Sequence, residues 1–416
     1  MIGLIGWLLT GSATAADADL ERRVERVLKK TPLIDGHNDV PWQVRSRADL
    51  SLDALPLDAD TSQLEPPMHT DWPRLREGQW GGVFWSVWVP TDLSGPEAVQ
   101  TTLEQIDVVH RMVAKWPKTL QLATTADEIR RAHRRGRVAS LVGIEGGHSM
   151  GDSLSALRML YDAGARYMTL THWRNTAWAD AATDAPVHDG LTAFGEDVVR
   201  ECNRLGLMVD LAHVSEATMA DALDVSKAPV IFSHSGARGI NPHPRNVPDA
   251  ILDRLPKNGG IVMVDFLPSY VSTEVWEHRA AHKGEMARLE VLYLGDPEGY
   301  TAALAAWEAA NPTPRSTLAQ VADHIDYLKD RIGVDHIGIG TDFDGMRDQP
   351  DGLDDVSQVP NLFVELLRRG YSDADVAAIA GGNLLRVMKQ VERQRARMKR
   401  VDPIGTRREF DEGETR

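Results

Sequence analysis

Short apolar runs rich in β-branched residues recur along this chain, separated by stretches with helical periodicity. Eight such runs stand out: Leu33 to Asp39, Gly82 to Val89, Ala139 to Glu145, Arg166 to His172, Leu207 to His213, Val230 to His234, Ile261 to Phe266 and Ile337 to Phe343. Several, such as LMVDLAH and GIVMVDF, are apolar at nearly every position, which predicts strands covered on both faces, the habit of parallel sheets. Helical patterns fall between them at Gly95 to Ala114, Leu154 to Ala163, Phe194 to Leu205, Ser215 to Leu223 and Ala319 to Arg331. Strand and helix alternating eight times predict an α/β fold of the (β/α)8 TIM-barrel type. A doubly wound open sheet would ask for a G-x-G-x-x-G turn after the first strand, and none follows it.

Two segments depart from the alternation. Residues 270–318 are longer than one crossover needs and are predicted to form an insertion with its own helices, covering the site or an oligomer contact. Residues 353–391 read as two extra C-terminal helices joined near Gly370, with Ser372 or Asp373 as the N-cap. The barrel unit is therefore placed at 17–392, followed by a hydrophilic, solvated tail at 393–416. Ahead of it, the apolar run Ile2 to Leu9 leads to Ala13-Thr14-Ala15, so 1–16 is read as a signal peptide or an N-terminal extension. Cleavage there would send the protein to a periplasm or the exterior, and without it the protein would be cytoplasmic. No run reaches the roughly 20 apolar residues of a membrane-spanning helix.

Composition narrows the chemistry. The 416 residues carry 46 Lys and Arg against 61 Asp and Glu, a net charge of −15, which argues against a nucleic-acid or anionic-membrane surface. Cys202 is the single cysteine, so thiolate zinc sites, iron–sulfur clusters and internal disulfides lack their atoms. Cys202 also falls mid-helix and no G-x-S-x-G elbow is present, which leaves little for a cysteine or serine hydrolase. Any metal must be held by histidine and carboxylate.

Such residues sit at the C-terminal ends of the predicted strands: His37-Asn38-Asp39, Glu145, His172, His213, His234, and Asp342 with Asp344. Barrel enzymes build their active sites at that face. On a strand, His37 and Asp39 lie on one side and can ligate one cation, while Asn38 faces away. A lone His-x-Asp could equally satisfy loop backbone. Glu145 ends an apolar strand, where an unpaired carboxylate is costly; its two oxygens could bridge two cations, a salt bridge being the plainer alternative. His213 and His234 each follow an apolar strand and precede a serine, completing a candidate dinuclear centre. Nitrogen and oxygen ligands with an open water position suit Zn²⁺ best, with Mn²⁺, Co²⁺ or Fe²⁺ as alternatives.

The strings DGHNDVPW, GIEGGHS, LTHWRNTAWAD, DLAHVS, FSHSGAR, RNVPD and GIGTDFDG occur in that order. In them the chain resembles the membrane (renal) dipeptidase family of metallopeptidases, among the amidohydrolase-like barrels, over about residues 31–390. The resemblance implies two bridged zinc ions, one held by His37, Asp39 and Glu145 and the other by Glu145, His213 and His234. It implies that His172 contacts the scissile carbonyl oxygen, Arg245 pairs with the peptide's C-terminal carboxylate and Asp342 transfers the proton. Plainer roles exist for each: a core hydrogen-bond donor for His172, a surface loop residue for Arg245, a turn cap for Asp342. Asp344 could share or replace Asp342's role. His148 is assigned to loop structure or to a supporting place behind the ligands, since the glycine pair should turn it away from Glu145. Most tryptophans, Trp42, Trp85, Trp88, Trp173 and Trp178 among them, are expected in the core, although Trp42 and Trp173 adjoin motif residues. The mammalian members are disulfide-bonded and lipid-anchored; with one cysteine and no anchor signal, neither property carries over.

The expected activity is hydrolysis of dipeptides by a hydroxide that bridges the two ions, with the substrate as the partner and a homodimer as an open option. One alternative is another amidohydrolase acting on cyclic amides or as a deaminase, which His37-Asn38-Asp39 disfavours because such relatives typically begin with His-x-His. A non-catalytic ligand-binding barrel is the other.

Overall fold

The computed structural model describes residues 15–405. The apolar run of the candidate signal peptide and the final stretch of the expected tail, 406–416, lie outside the described residues. Among the described residues there are nine parallel strands: β1 Leu33–Asn38, β2 Trp80–Trp88, β3 Leu120–Leu122, β4 Val138–Glu145, β5 Ala165–Thr169, β6 Met208–Asp210, β7 Ile231–Phe232, β8 Ile261–Val264 and β9 Ile337–Ile339. Their order is β2-β1-β9-β8-β7-β6-β5-β4-β3, and a further β2–β4 pairing closes eight of them into a barrel. All eight predicted runs supply its strands. The ninth, β3, was not foreseen; it adds Leu120-Gln121-Leu122 beside the start of β4, below the point where β5 begins to pair. Three residues with a polar centre leave no periodic signal.

The late strands β6 and β8 are shorter than their apolar runs suggest, where Asp210 and Asp265 offer the backbone another partner, as Asp35 and Asn38 do in β1. Asp35, Asn38, Asp210 and Asp265 each accept the backbone N–H two residues ahead, from His37, Val40, Ala212 and Leu267 respectively. These are Asx turns, which offer the backbone a local partner in place of the ladder. Asp210 also accepts from Ser233 N–H (2.8 Å), Ser233 Oγ (2.6 Å) and Thr169 Oγ1 (2.5 Å). Asp35 accepts from Thr341 N–H at 2.8 Å and Thr341 Oγ1 at 2.7 Å, tying the first strand to the last. Burial pushes the Asp35 carboxyl up to about 7 even against these donors. The barrel mouth is thus laced by buried carboxylates, so its backbone can leave the strands early and turn inward.

Inside the barrel, Ile34, Phe84, Tyr167, Ile231 and Met263 belong to one buried cluster. Gly143 on β4 makes room for the Tyr167 ring: a Cβ there would lie 2.1 Å from the ring. The outer helices match expectation closely, at Gly95–Lys115, Leu154–Asp162, Ala193–Leu205, Glu216–Val225 and Leu318–Ile332. Ser215 and Ser372 both cap as N-cap residues, Ser372 within a reciprocal capping box. The insertion holds Pro268–Val271 and a helical pair, Thr273–Leu292 and Pro297–Ala310. The C-terminal region has Val359–Arg368, Asp373–Ala377, a π turn at Ala378–Gly382 and Asn383–Arg397. That last helix reaches five residues into the stretch expected as tail, because Val387, Met388 and Val391 bury one face of it.

Replacing Asp35 separates its hydrogen bonds from its charge. Asp35→Ala strands the buried Thr341 and His37 N–H groups and is expected to cost about 3 kcal/mol or more in denaturant unfolding. Asp35→Asn keeps an acceptor there and should cost less than half as much.

Candidate metal centre and active site

Glu145 stands at the end of β4, 4% exposed, with four imidazoles around it. Its Oε1 is 3.0 Å from His213 Nε2, 3.3 Å from His172 Nε2 and 3.5 Å from His234 Nε2, and its Oε2 is 3.3 Å from His37 Nε2. Ser86 Oγ, facing inward from β2, donates to Oε2 at 3.0 Å. Burial raises the carboxyl's affinity for a proton, but the His37 and His172 imidazoles outweigh it and hold Glu145 well below the usual carboxylate range. Asp39 joins the group through His37, with 3.4 Å between Oδ2 and Nε2.

Each ligand candidate is aimed by a partner behind it. A pairing irregularity in β1 between Asp35 and Asn38 directs His37 into the mouth, and its Nδ1 meets Tyr167 Oη at 2.9 Å. His234 Nδ1 meets Ser233 Oγ at 2.8 Å, and Ser233 in turn donates to Asp210. His213 sits in the left-handed region, φ +66°, three residues beyond β6. Burial first, then the Arg245 charge for His213 and the His37 and Arg245 charges for His234, hold both imidazoles well below their ordinary value. They are neutral, the form that binds a cation.

The donor set fits divalent metal. Among the described residues, three groups of side chains have ligand atoms within 4.8 Å of one another: His37 with Glu145 and His234, Glu145 with His172 and His213, and His37 with Asp39 and Asp342. Glu145 is shared by two groups, as a bridging carboxylate would be. His37 Nε2 is buried without a hydrogen-bond partner although two carboxylates face it, and so is His213 Nδ1. An orphaned nitrogen among carboxylates is costly unless a cation sits between them. The overlap is wider than the two expected groups: His213 Nε2 lies 2.9 Å from His234 Nε2, His172 stands beside His213, His234 beside His37, and Asp342 beside His37 and Asp39.

The remaining candidates fall around this cluster. His172 Nδ1 accepts from Trp88 Nε1 at 3.2 Å, which leaves its proton on Nε2, pointing at the centre. Asp342 follows β9 with φ +60°, and burial together with the Asp265 and Asp39 carboxylates pushes its carboxyl well above the usual range. Arg245 is not a surface residue: it is fully buried, with Nη1 on Ser235 Oγ (3.3 Å), Nη2 on the His234 carbonyl (3.1 Å) and its charge 5.1 Å from the Tyr270 ring. Its Nε has no partner. Asp344 accepts the His69 N–H at Oδ1, 2.8 Å away, and its Oδ2 is buried without a partner. His148 meets the Val89 carbonyl at 3.1 Å in the loop, as expected. Cys202 is buried in its helix, and burial pushes its thiol up, away from nucleophilic chemistry.

A cavity of about 350 Å³ opens over the cluster. Trp85 and Trp178 are core residues, but Trp42, Trp88 and Trp173 form its wall, together with Tyr270 and Met346. Trp42 packs edge-on against Trp88 at 4.3 Å, while Trp173 is 54% exposed. Asp265 is the polar group that strand-end reasoning passed over. It ends the apolar run of β8, is 1% exposed, and lies close enough to Arg245 and Asp342 to influence both. The same rule that singled out Glu145, a carboxylate closing an apolar strand, applies to GIVMVDF.

Comparison with known proteins gives the arrangement its family. The profile described as "Membrane dipeptidase (Peptidase family M19)" matches residues 21–401. A Claviceps purpurea protein named dipeptidase tcpJ is 38% identical over 422 residues, covering 94% of this chain and 89% of that protein. The crystal structure of the probable dipeptidase PvdM from Pseudomonas aeruginosa superposes with a TM-score of 0.75 at 25% identity, covering 91% of this chain and 99% of that one. That of a metallopeptidase called dipeptidase AC does so with a TM-score of 0.71 at 25% identity, covering 87% and 99%. A closed (β/α)8 barrel, a histidine–carboxylate cluster at its C-terminal mouth and a profile match spanning almost the whole chain agree: the protein belongs to the membrane dipeptidase family.

Proposed function

We propose that this metallo-dipeptidase works with two divalent ions, most simply Zn²⁺, gathered around the Glu145 carboxylate. The observation that carries this reading is the shared carboxylate itself: Glu145 belongs to two ligand groups at once, with an orphaned imidazole nitrogen beside it. His37, Asp39, Glu145, His213 and His234 would hold the ions. When bound, the metal would polarise the peptide carbonyl and lower the pKa of a water toward neutrality.

The chain's own residues do the rest. His172 presents an N–H at Nε2, held by Trp88, to stabilise negative charge on the carbonyl oxygen. Asp342, protonated readily in its buried, acidic surroundings, takes the proton from the attacking water and returns it to the leaving amine. Arg245 supplies a positive charge next to the cavity, screened by the Tyr270 ring; pairing with a free C-terminal carboxylate would restrict the enzyme to very short peptides. The cavity's volume of about 350 Å³ suits a small substrate, and indole rings form much of its wall. Export to a periplasm or the exterior remains our reading of residues 1–16.

Three outcomes are expected. Asp342→Asn should lower kcat on a dipeptide about 100-fold or more with metal content unchanged; full turnover would remove Asp342 from proton transfer. Arg245→Ala should raise KM about 10-fold or more, and amidating the substrate's C-terminus should reproduce that loss in the wild type but add little in the variant. Free amino acids should be released in equal amounts without ammonia; stoichiometric ammonia would point to a deaminase instead.

A further inference from the structure

The stretch Met68-His69-Thr70-Asp71 supplies no ligand and does not line the cavity, yet it is buried throughout, from 0% exposure at Thr70 and Asp71 to 7% at His69. Its base is fixed. Asp71 accepts from Thr61 N–H (2.9 Å) and Arg74 Nε (2.7 Å), while Arg74 also reaches Asp355 (2.9 Å) and the Met68 carbonyl (3.0 Å). From that base the stretch holds both edges of the site. Thr70 Oγ1 accepts from Asn38 Nδ2 at 2.9 Å, and Asn38 sits between His37 and Asp39. His69 exchanges a pair of hydrogen bonds with Asp344: its N–H donates to Oδ1 at 2.8 Å, and the Asp344 N–H donates to its Nδ1 at 3.0 Å.

The turn so held needs holding. Backbone pairing between β1 and β9 amounts to the Asp35–Ile339 register and a bridge between Asn38 and Phe343. On either side of that bridge, Asp342 and Asp344 take left-handed backbone, φ +60° and +67°, which favours glycine; the Asp342 N–H donates to the His37 carbonyl at 3.1 Å, while Asp344 lies past the last pairing. The Asp344 carbonyl is taken by Gln43 Nε2 at 2.6 Å, so side chains fix its N–H and its C=O, and the His69 backbone N–H fixes one carboxylate oxygen. Asp342 precedes this anchor by two residues.

We propose that His69 is a positioning residue for Asp342. By accepting the Asp344 N–H, its Nδ1 keeps the Asp342-Phe343-Asp344 turn in its left-handed course and so sets where the Asp342 carboxylate stands. The inference rests on the reading of Asp342 as the proton carrier. A misplacement of about 1 Å at a reacting group can cost about 100-fold in rate, so the effect falls on kcat and not on substrate affinity.

The test is steady-state kinetics with metal analysis on His69→Asn, His69→Gln and His69→Ala, alone and combined with Asp342→Asn. Asparagine places its Oδ1 near the Nδ1 position and keeps the acceptor; glutamine reaches toward Nε2 and loses it. His69→Gln and His69→Ala should lower kcat about 10- to 100-fold, with KM within about 3-fold of the wild type and metal content unchanged, while His69→Asn recovers most of the rate. In the Asp342→Asn background, His69→Gln should add little, since the group it positions is already gone. Equal damage from His69→Asn and His69→Gln would overturn the proposal, as would a kcat loss that merely tracks lost metal. A slow Asp342→Asn enzyme that still loses the full factor on His69→Gln would overturn this inference alone. Full turnover by Asp342→Asn would instead remove the proton-carrier reading on which it rests.

Discussion

A single buried carboxylate organises this protein's mouth. Glu145 has its two oxygens within 3.5 Å of four imidazoles that arrive from four separate strand ends. Charge in so dry a place is expensive unless it is compensated, and the protein compensates it with convergent donors and, on our reading, cations. That requirement reaches down into the barrel. Gly143 is small so that Tyr167 can cross β4's inner face, and Tyr167 orients His37. Asp210 gathers Thr169 and Ser233, and Ser233 orients His234.

The same mouth concentrates backbone strain. His213, Asp342 and Asp344 are all non-glycine residues in the left-handed region, each of which costs about 1 to 3 kcal/mol to maintain. Apart from one backbone bond, from the Asp342 N–H to the His37 carbonyl at 3.1 Å, strand pairing does not maintain them, because β6, β7 and β9 have already ended. Side-chain hydrogen bonds do so instead, through Asx turns at the strand ends and through the clasp between His69 and Asp344. Short strands are therefore a condition of the site: the backbone has to escape the ladder for the ligands to turn toward a common centre.

Much of this was legible in the sequence because the chemistry stands at strand ends, and strands buried on both faces announce themselves as apolar runs. His37, Glu145, His213 and His234 could be placed at one mouth on that ground alone, and the helix boundaries followed from periodicity and caps. What escaped notice lacked such a signal or hid inside one. β3 is three residues long, and the Met68 to Asp71 clasp is irregular loop whose importance comes from contacts about 275 positions away in sequence. Asp265 was visible in GIVMVDF but was read as part of the strand. Trp88 was taken for core because its strand is apolar, although its inward position above Ser86 brings it to the cavity wall. The burial of Arg245 depends on Tyr270 in the insertion, which no local pattern around RNVPD could disclose.

The central claim is that Glu145 is the carboxylate around which the metal assembles, and metal stoichiometry on purified protein tests it most directly. Elemental analysis of wild-type and Glu145→Ala chains after identical reconstitution and desalting should find two ions per chain in the first and fewer than one in the second, with dipeptide turnover lost in step. A Glu145→Ala chain that retained both ions and its activity would contradict the account.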